Sequence, residues 1–537
     1  MQQLRAGHRI GVGTLVRSRQ LLTSACVAFL ASFCTLVIEL VAGRILAPYV
    51  GVSLYTWTSI IGVVLAALSL GALVGGKLAD RFPRNESLAW LLMASGLTAV
   101  AIVPLVRWLG PLPISESLML HISVLTGLVF FAPCFLLGAI TPVAIRLAVE
   151  DLERSGTVVG QISSLSTLGA ILGTFATGFF LISRFGTRSI LLSIAALLMV
   201  SGLALALLTR QSTRHPQLVG LAIVPISLIV LSGATLPSRW FQIGDKDAYF
   251  VEESNYFTIQ LEENTRADGM GRLEVLSLDH LVHSYTDLED PSFLAYDYLN
   301  GLADVVEAQV TATNHEPLRY LFLGGGGYTF PRYLEHLHSE ARIDVVEIDP
   351  AVSKVAFEHL GVDHDTRIRT INQDARWFVR NFEGQPYDLV FVDVFNDLAV
   401  PYHVTTLEFF EQLEELLSPT GLLVVHVLDR FHSGRFLPAL ALTIRHTFGA
   451  EETALWAHFQ SRQLDRRSSF LVFAGRSNQP IDQLLLDLQA CRPCKERGSI
   501  FSQLQLGEYL EARNPVLLTD DFAPVDALVL ALYHSDK

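Results

Sequence analysis

Charged residues are scarce in this chain. Only 17% of its 537 residues are Asp, Glu, Lys or Arg, and half are hydrophobic. A soluble globular chain carries about 25% charged residues, and a disordered one carries few apolar residues. The composition therefore excludes disorder and argues against a wholly soluble chain. The deficit is uneven. Residues 1–236 hold 15 Lys/Arg and 7 Asp/Glu, whereas residues 237–537 hold 24 and 46. An acidic second half lacks the basic footprint that nucleic-acid binding requires, so no nucleic-acid partner is expected. Cysteine is also rare, and five residues do not make a disulfide framework. Cys26, Cys34 and Cys134 lie in apolar runs and read as small core residues. Cys491 and Cys494 form a lone C-x-x-C without further ligands nearby, so no metal site is expected.

Long apolar runs are plentiful. Seven stretches, about 21–48, 57–79, 88–109, 118–146, 158–183, 189–208 and 217–236, reach the roughly 20 residues that a spanning helix needs. They make residues 21–236 a transmembrane bundle of about seven helices behind a basic N-terminal segment, 1–20. The first run is too long for a cleavable signal peptide. Small residues crowd the second and fifth runs (Gly71, Gly75, Gly76; Gly169, Gly173, Gly178) and predict helices packed inside the bundle. Arginines and lysines before the first run and after the second, fourth and sixth place the N-terminus in the cytoplasm. Seven spans would then put the second half outside the cell. The run at 118–146, interrupted by Pro133 and Pro142, is the candidate for a re-entrant or double helix that would change that parity and leave the second half in the cytoplasm. Glu39 and Arg44 sit in the first run, as a mutual pair or as a polar site for a cationic solute.

After a linker at 237–247, residues 248–290 read as a β-rich subdomain, with strands at 256–261 and 272–278 flanking a polar turn. Residues 291–537 then alternate. A helix is expected at 291–307. Strands follow at 319–323, 342–348, 367–371, 387–394, 421–428, 453–458 and 468–474. Helices are expected at 329–339, 351–360, 375–382, 405–417, 434–447 and 481–489. That alternation predicts an α/β, doubly wound, mainly parallel sheet of Rossmann type.

Four features fall at the C-terminal ends of these strands, where such sheets bind ligands. The first strand runs into Gly324, Gly325, Gly326 and Gly327, a turn that lets a ligand approach the backbone. Glu347 ends the second strand, 21 residues past Gly326, the spacing at which a carboxylate accepts both ribose hydroxyls of an adenosine group. Asp374, followed by Ala375, stands after the third, able to accept from an adenine amino group. Asp393 ends the fourth, with Asn396 and Asp397 in the loop beyond. A nicotinamide dinucleotide would require a third glycine where Thr329 stands, so a cosubstrate of the S-adenosylmethionine type fits better.

In order and spacing these residues, together with Tyr256-Phe-Thr-Ile, Leu278-Asp279 and Tyr387-Asp-Leu-Val-Phe-Val-Asp393, resemble the spermidine synthases, or polyamine aminopropyltransferases, over about residues 248–530. The preceding bundle, with Glu39-Leu-Val-Ala-Gly-Arg44-Ile-Leu-Ala-Pro48, and the closing Leu518-Thr-Asp-Asp-Phe-Ala-Pro-Val-Asp526 resemble the membrane-fused bacterial branch. The resemblance implies an S-adenosylmethionine methyltransferase-like Rossmann domain. It implies a transferase of polyamine biosynthesis without a bound cofactor, with decarboxylated S-adenosylmethionine as cosubstrate and putrescine or a related amine as acceptor. Gly324, Gly325, Gly326, Glu347, Asp374 and Ala375 would hold the cosubstrate, and Asp393 would be the general base. Tyr256, His283, Tyr296, Asn396, Asp397, Tyr402 and Asp521, with Asp520 beside it, are candidates for the amine's walls, acidic and aromatic as a polycation requires. The chain would be a multi-pass protein of the cell membrane with a cytoplasmic catalytic domain; self-association is left open.

The departures concentrate on the amine side. The family's aspartate after the first three glycines is absent, since Gly327 and Tyr328 follow Gly326. Its glutamine after the early tyrosine is Phe257, its glycine after Leu-Asp is His280, its later glutamine is His283, and its Asp-Glu pair before Tyr296 is Ser292 and Phe293. Its second catalytic-loop aspartate falls on Asn396. Two rival functions follow: an S-adenosylmethionine-dependent methyltransferase on the same fold, and a polyamine transporter or sensor whose second half only binds ligand.

Overall fold

The computed structural model describes residues 2–115, 117–149, 151–208, 247–269, 271–312, 316–395, 400–457, 465–475, 499–501 and 503–533. The seventh apolar run, nearly all of the linker, the helix expected at 481–489, the Cys491 and Cys494 pair, Asn396 and Asp397 lie outside the described residues. The chain divides into two units, Met1–Lys246 and Asp247–Lys537.

The first unit contains, among its described residues, six helices long and apolar enough to cross a membrane. The first runs from Gln2 to Val50, so the basic segment is continuous with the apolar run behind it. The second spans Leu54–Arg81 and is capped by Ser53, whose hydroxyl accepts the Thr56 amide. The third, Asn85–Leu109, breaks at Ala101. The fourth, Leu118–Ala148, passes unbroken through Pro133 and Pro142, so the expected re-entrant break does not form. Neighbouring helices can shield the backbone groups that each proline frees. The fifth, Leu152–Arg184, contains a π turn at Thr177–Leu181, and the sixth is Thr187–Leu208. Twenty-two residues at 1.5 Å each reach about 33 Å, enough for a hydrocarbon core of about 30 Å.

The glycine faces pack as expected, but not at the centre. A methyl group at Gly71 would lie 2.1 Å from the Phe135 carbonyl oxygen, and one at Gly75 would lie 2.4 Å from that of Ala139. Gly169 and Gly173 abut the Phe29 and Phe33 carbonyls in the same way, whereas Gly76 and Gly178 face open space. Each glycine-rich helix thus has one seam, and its apolar window is only 28% (second) or 17% (fifth) buried. Small residues set how near two helices come, not how many neighbours a helix has. Cys26 is exposed, unlike the buried Cys34 and Cys134, so it is not a core residue. Glu39 and Arg44 are both half-buried.

The second unit opens with a four-stranded antiparallel sheet, β1 (Phe250–Glu253), β2 (Thr258–Thr265), β3 (Arg272–Leu278) and β4 (Leu281–Asp287), twice the size of the expected hairpin. The next helix is Asp297–Ala312, six residues later than the pattern suggested. Pro291 and the Asp290 turn delay it: the Phe293 amide donates to the Asp290 carbonyl, and the Asn300 side chain ties off the Leu294 and Tyr296 carbonyls. The strands of the larger sheet are β5 (Arg319–Leu323), β6 (Arg342–Val346), β7 (Arg369–Ile371), β8 (Tyr387–Val392), β9 (Leu417–Arg430), β10 (Thr453–Ala457), β11 (Arg467–Gly475) and β12 (Ser499–Phe501). They lie in the order β12-β10-β11-β9-β8-β5-β6-β7. The stretch from β9 to β7 is parallel, and β11 enters antiparallel against β9. Apart from Arg319 and Asp388 near their starts, the central strands β5 and β8 are apolar or aromatic and buried on both faces, which is what a parallel sheet covered on both sides demands.

The chain leaves β5 for β6 on one side and later reaches β8 on the other. The strand order therefore reverses at the β5/β8 boundary, and a crevice opens at the C-terminal ends there. Backbone bonds continue past the strand ends: Gly324 N–H to Val346 O (2.8 Å), Glu347 N–H to Ile371 O (3.0 Å) and Asp393 N–H to Leu323 O (2.9 Å). They set Gly324, Glu347 and Asp393 along one rim.

Candidate active site

The glycine turn is shaped by contact. Gly324 has φ +95°, and a methyl group there would lie 2.2 Å from the Asp393 carbonyl oxygen. Only glycine meets both conditions. Tyr328 follows in left-handed backbone, φ 56°, a conformation that costs a non-glycine residue about 1–2 kcal/mol. Its fully buried ring and its hydroxyl, 3.2 Å from both Ser353 Oγ and Thr370 Oγ1, hold it there.

Glu347 is buried, and its carboxylate organises this turn. Oε2 accepts the Gly325 and Gly326 amides at 2.8 and 3.2 Å, and Oε1 accepts the Asp349 amide at 2.9 Å. The glycine amides were expected to face a ligand; in the structure two of them face Glu347. A carboxylate offers about four acceptor sites, so these bonds leave room for about one more. Burial pushes the Glu347 carboxyl above the usual range, and the three amide bonds pull it back only in part.

Asp374 caps the helix Ala375–Arg380 by accepting the Trp377 amide at 2.9 Å. Its other oxygen lies 3.0 Å from His403 Nε2, on the turn Tyr402–Val404. Ala375, nearly buried, begins the helix.

Asp393 lies beyond β8. Its Oδ1 is 2.7 Å from His426 Nδ1, and its Oδ2 accepts the Tyr298 hydroxyl at a long 3.4 Å. Burial pushes the Asp393 carboxyl up, but the charge of His426 when it is protonated, its hydrogen bond, the charge of His283 and the Tyr298 hydroxyl outweigh it and hold the group below the ordinary aspartate range. The Tyr298 ring stacks on the His426 ring, with centroids 4.0 Å apart and planes within 7°. Tyr296 lies 5.5 Å from Tyr298 and 5.4 Å from Tyr285, so a row of aromatic rings leads to the carboxylate.

The fold thus brings together Gly324, Gly325, Gly326, Glu347 and Asp393 on one rim, with Asp374 at the next strand end and His283 and Tyr296 beside Asp393. Tyr256, Tyr402 and Asp521 are exposed, and among the described residues none hydrogen-bonds to the glycine turn or to the three carboxylates. Asp520 is committed elsewhere: it forms a two-pronged pair with Arg376 (2.6 and 2.5 Å) and accepts from Thr406 Oγ1. Sequence reasoning passed over His403, Tyr298 and His426. Only His426 left a signal there, as the one polar residue in the otherwise apolar strand stretch Leu422–Leu428. Among the described residues no group of three His, Cys, Asp or Glu side chains is placed to hold a metal ion.

Carboxylates at three successive strand ends around a glycine turn mark the ligand-binding edge of a Rossmann-type α/β domain. Residues 304–432 match the spermine/spermidine synthase domain. The polyamine aminopropyltransferase of Vibrio vulnificus is 36% identical over 225 residues, which cover 40% of this chain and 71% of that one. Polyamine aminopropyltransferase 1 of Streptomyces coelicolor is 24% identical over 439 residues, 78% of this chain and 77% of its own. That alignment is longer than the second unit, so it runs into the apolar helices. The chain belongs to the polyamine aminopropyltransferase (spermidine synthase) family, and it is a transferase.

Proposed function

We propose that the second unit transfers the aminopropyl group of decarboxylated S-adenosylmethionine to putrescine or a related amine, giving a spermidine-type product and methylthioadenosine. The observation that carries this reading is the placement of Asp393 beside Gly324 at the switch point, where among the described residues Oδ2 accepts one long bond. Gly324 to Gly326 and Glu347 take the ribose end, and Asp374 with Ala375 takes the adenine. The aromatic row of Tyr296 and Tyr298 and the depressed Asp393 carboxyl receive the cationic amine.

In the reaction the amine nitrogen bonds to the methylene beside the sulfonium, and the C–S bond breaks with its electron pair moving to sulfur. The leaving group is a neutral thioether. The amine's proton passes to Asp393, a carboxylate already ionised at neutral pH. Ser292 binds Asp290, and Phe293 lies under the Arg266 guanidinium at 3.9 Å, where the family carries an acidic pair. That replacement supports an acceptor whose far end differs from putrescine's.

The six apolar helices among the described residues support a membrane anchor, and a cosubstrate made in the cytosol calls for the second unit on the cytoplasmic side. An alkaline phosphatase fusion at the C-terminus that is active in the periplasm would overturn that orientation. The activity is tested by incubating the detergent-purified chain with decarboxylated S-adenosylmethionine and a panel of diamines. Methylthioadenosine release with at least one amine is expected, and none with any amine sinks the proposal.

A further inference from the structure

We infer that His426 is the positioning residue for the proton-accepting carboxylate: it carries its proton on Nδ1, donates it to Asp393 Oδ1, and leaves Oδ2 aimed at the amine. This rests on the reading of Asp393 as the base.

A 2.7 Å contact between an imidazole nitrogen and a carboxyl oxygen admits two arrangements. Either the ring donates to a carboxylate, or a protonated carboxyl donates to the ring. The surroundings decide between them. His426 Nε2 is buried and has no hydrogen-bond partner among the described residues. With the proton on Nε2, that N–H would be an orphaned buried donor, the rarer and costlier kind of unsatisfied group. An imidazolium would carry the same orphan. With the proton on Nδ1, the donor meets a charged acceptor in a charge-assisted bond, roughly twice as strong as a neutral one. The Tyr298 hydroxyl donates to the other oxygen, so among the described residues both hydrogen-bond partners of Asp393 are donors, and both favour the ionised form.

The ring has little freedom to turn away. It is held in β9 between Val425 and Val427, opposite Leu471 of β11, with the Tyr298 ring stacked on it. The other titratable groups facing the pair are His283 on β4 and Tyr296; Arg467 of β11 acts on Tyr296.

The first test leaves the chain unmutated. In the full chain in detergent, labelled with ¹⁵N-histidine, the His426 signals (assigned by their loss in H426N) should report a proton on Nδ1 and a bare Nε2. A proton on Nε2 overturns the inference, whatever the activity. The second test is kinetic. H426F keeps a flat ring against Tyr298 but has no donor. Its kcat should fall by about 10- to 100-fold, the worth of a hydrogen bond to a charged group. The KM for the cosubstrate should stay within about threefold, because no contact to it is lost. The acid limb of kcat/KM should move to higher pH, since losing a donor raises the pKa of a carboxylate. H426N restores a donor near the Nδ1 position and should recover most of the rate. H426F with the wild-type rate and acid limb, or H426N no better than H426F, contradicts the inference. If H426F does not fold, the spectrum of the unmutated chain still decides. If no amine yields methylthioadenosine, the reading of Asp393 fails, while the tautomer is measured independently.

Discussion

The two sides of the crevice are held together differently. The side formed by β5, β6 and β7 is polar and built on backbone amides: those of one short turn bond to Glu347, and Asp374 caps the helix that follows it. The side formed by β8 and β9 is long-range and aromatic. Asp393 meets His426 from 33 residues away and Tyr298 from 95 residues away, through a stack of rings. The first side therefore suits a ligand that is bound and kept in one pose. The second fixes the setting of one carboxylate, the one proposed to take the amine's proton. Binding and chemistry should accordingly separate under mutation, and they join only where the two sides touch, at Gly324.

The largest effect should come from that shared position. Gly324→Ala places a methyl group against the Asp393 carbonyl at positive φ, and the strain should amount to about 3 kcal/mol or more. Cosubstrate affinity, turnover and melting temperature should all fall; an alanine variant that loses only one of the three would show that the two sides do not meet there. Glu347→Gln sharpens the division next. Its NH2 group must meet either the glycine-turn amides or the Asp349 amide, donor against donor, so affinity should fall by about 10- to 100-fold, and the melting temperature with it. Turnover at saturation should change less, because a ribose contact acts alike in ground and transition states. Asp374→Ala should remove about 1 kcal/mol of helix capping and weaken cosubstrate binding by about tenfold, again with kcat nearly unchanged. The smallest effect is expected from Tyr298→Phe, which keeps the ring stack and loses only a 3.4 Å bond. Its kcat should stay within about threefold of the parent; a larger loss would make the tyrosine hydroxyl, not His426, the main partner of Asp393.

The same contrast explains what the sequence disclosed. A glycine turn after a strand, and carboxylates at regular spacing after the next strands, are consequences of chain-local geometry. The placement of Glu347, Asp374 and Asp393 at successive strand ends was therefore legible, as were the strands of the parallel sheet. His426 and Tyr298 meet Asp393 only once β9 and the helix from Asp297 are packed, and nothing in their local pattern marks that meeting. The helix at 297–312 was placed too early because apolar periodicity does not register the turn made by Asp290, Pro291 and Asn300. In the first unit, glycine spacing predicted close helix contacts but not their number, so two peripheral helices read as central ones.

The separation of binding from chemistry is tested most directly by Asp393→Asn, with cosubstrate affinity and single-turnover rate measured on the same preparation. Asparagine keeps the shape of the side chain and its backbone setting but cannot take the amine's proton. The account predicts affinity for decarboxylated S-adenosylmethionine within about threefold of the parent. It predicts a single-turnover rate lower by about 10²–10⁴, the usual worth of general-base catalysis. A variant that binds and turns over at the parental rate would contradict the assignment of Asp393 and, with it, the division of the site into a side that binds and a side that reacts.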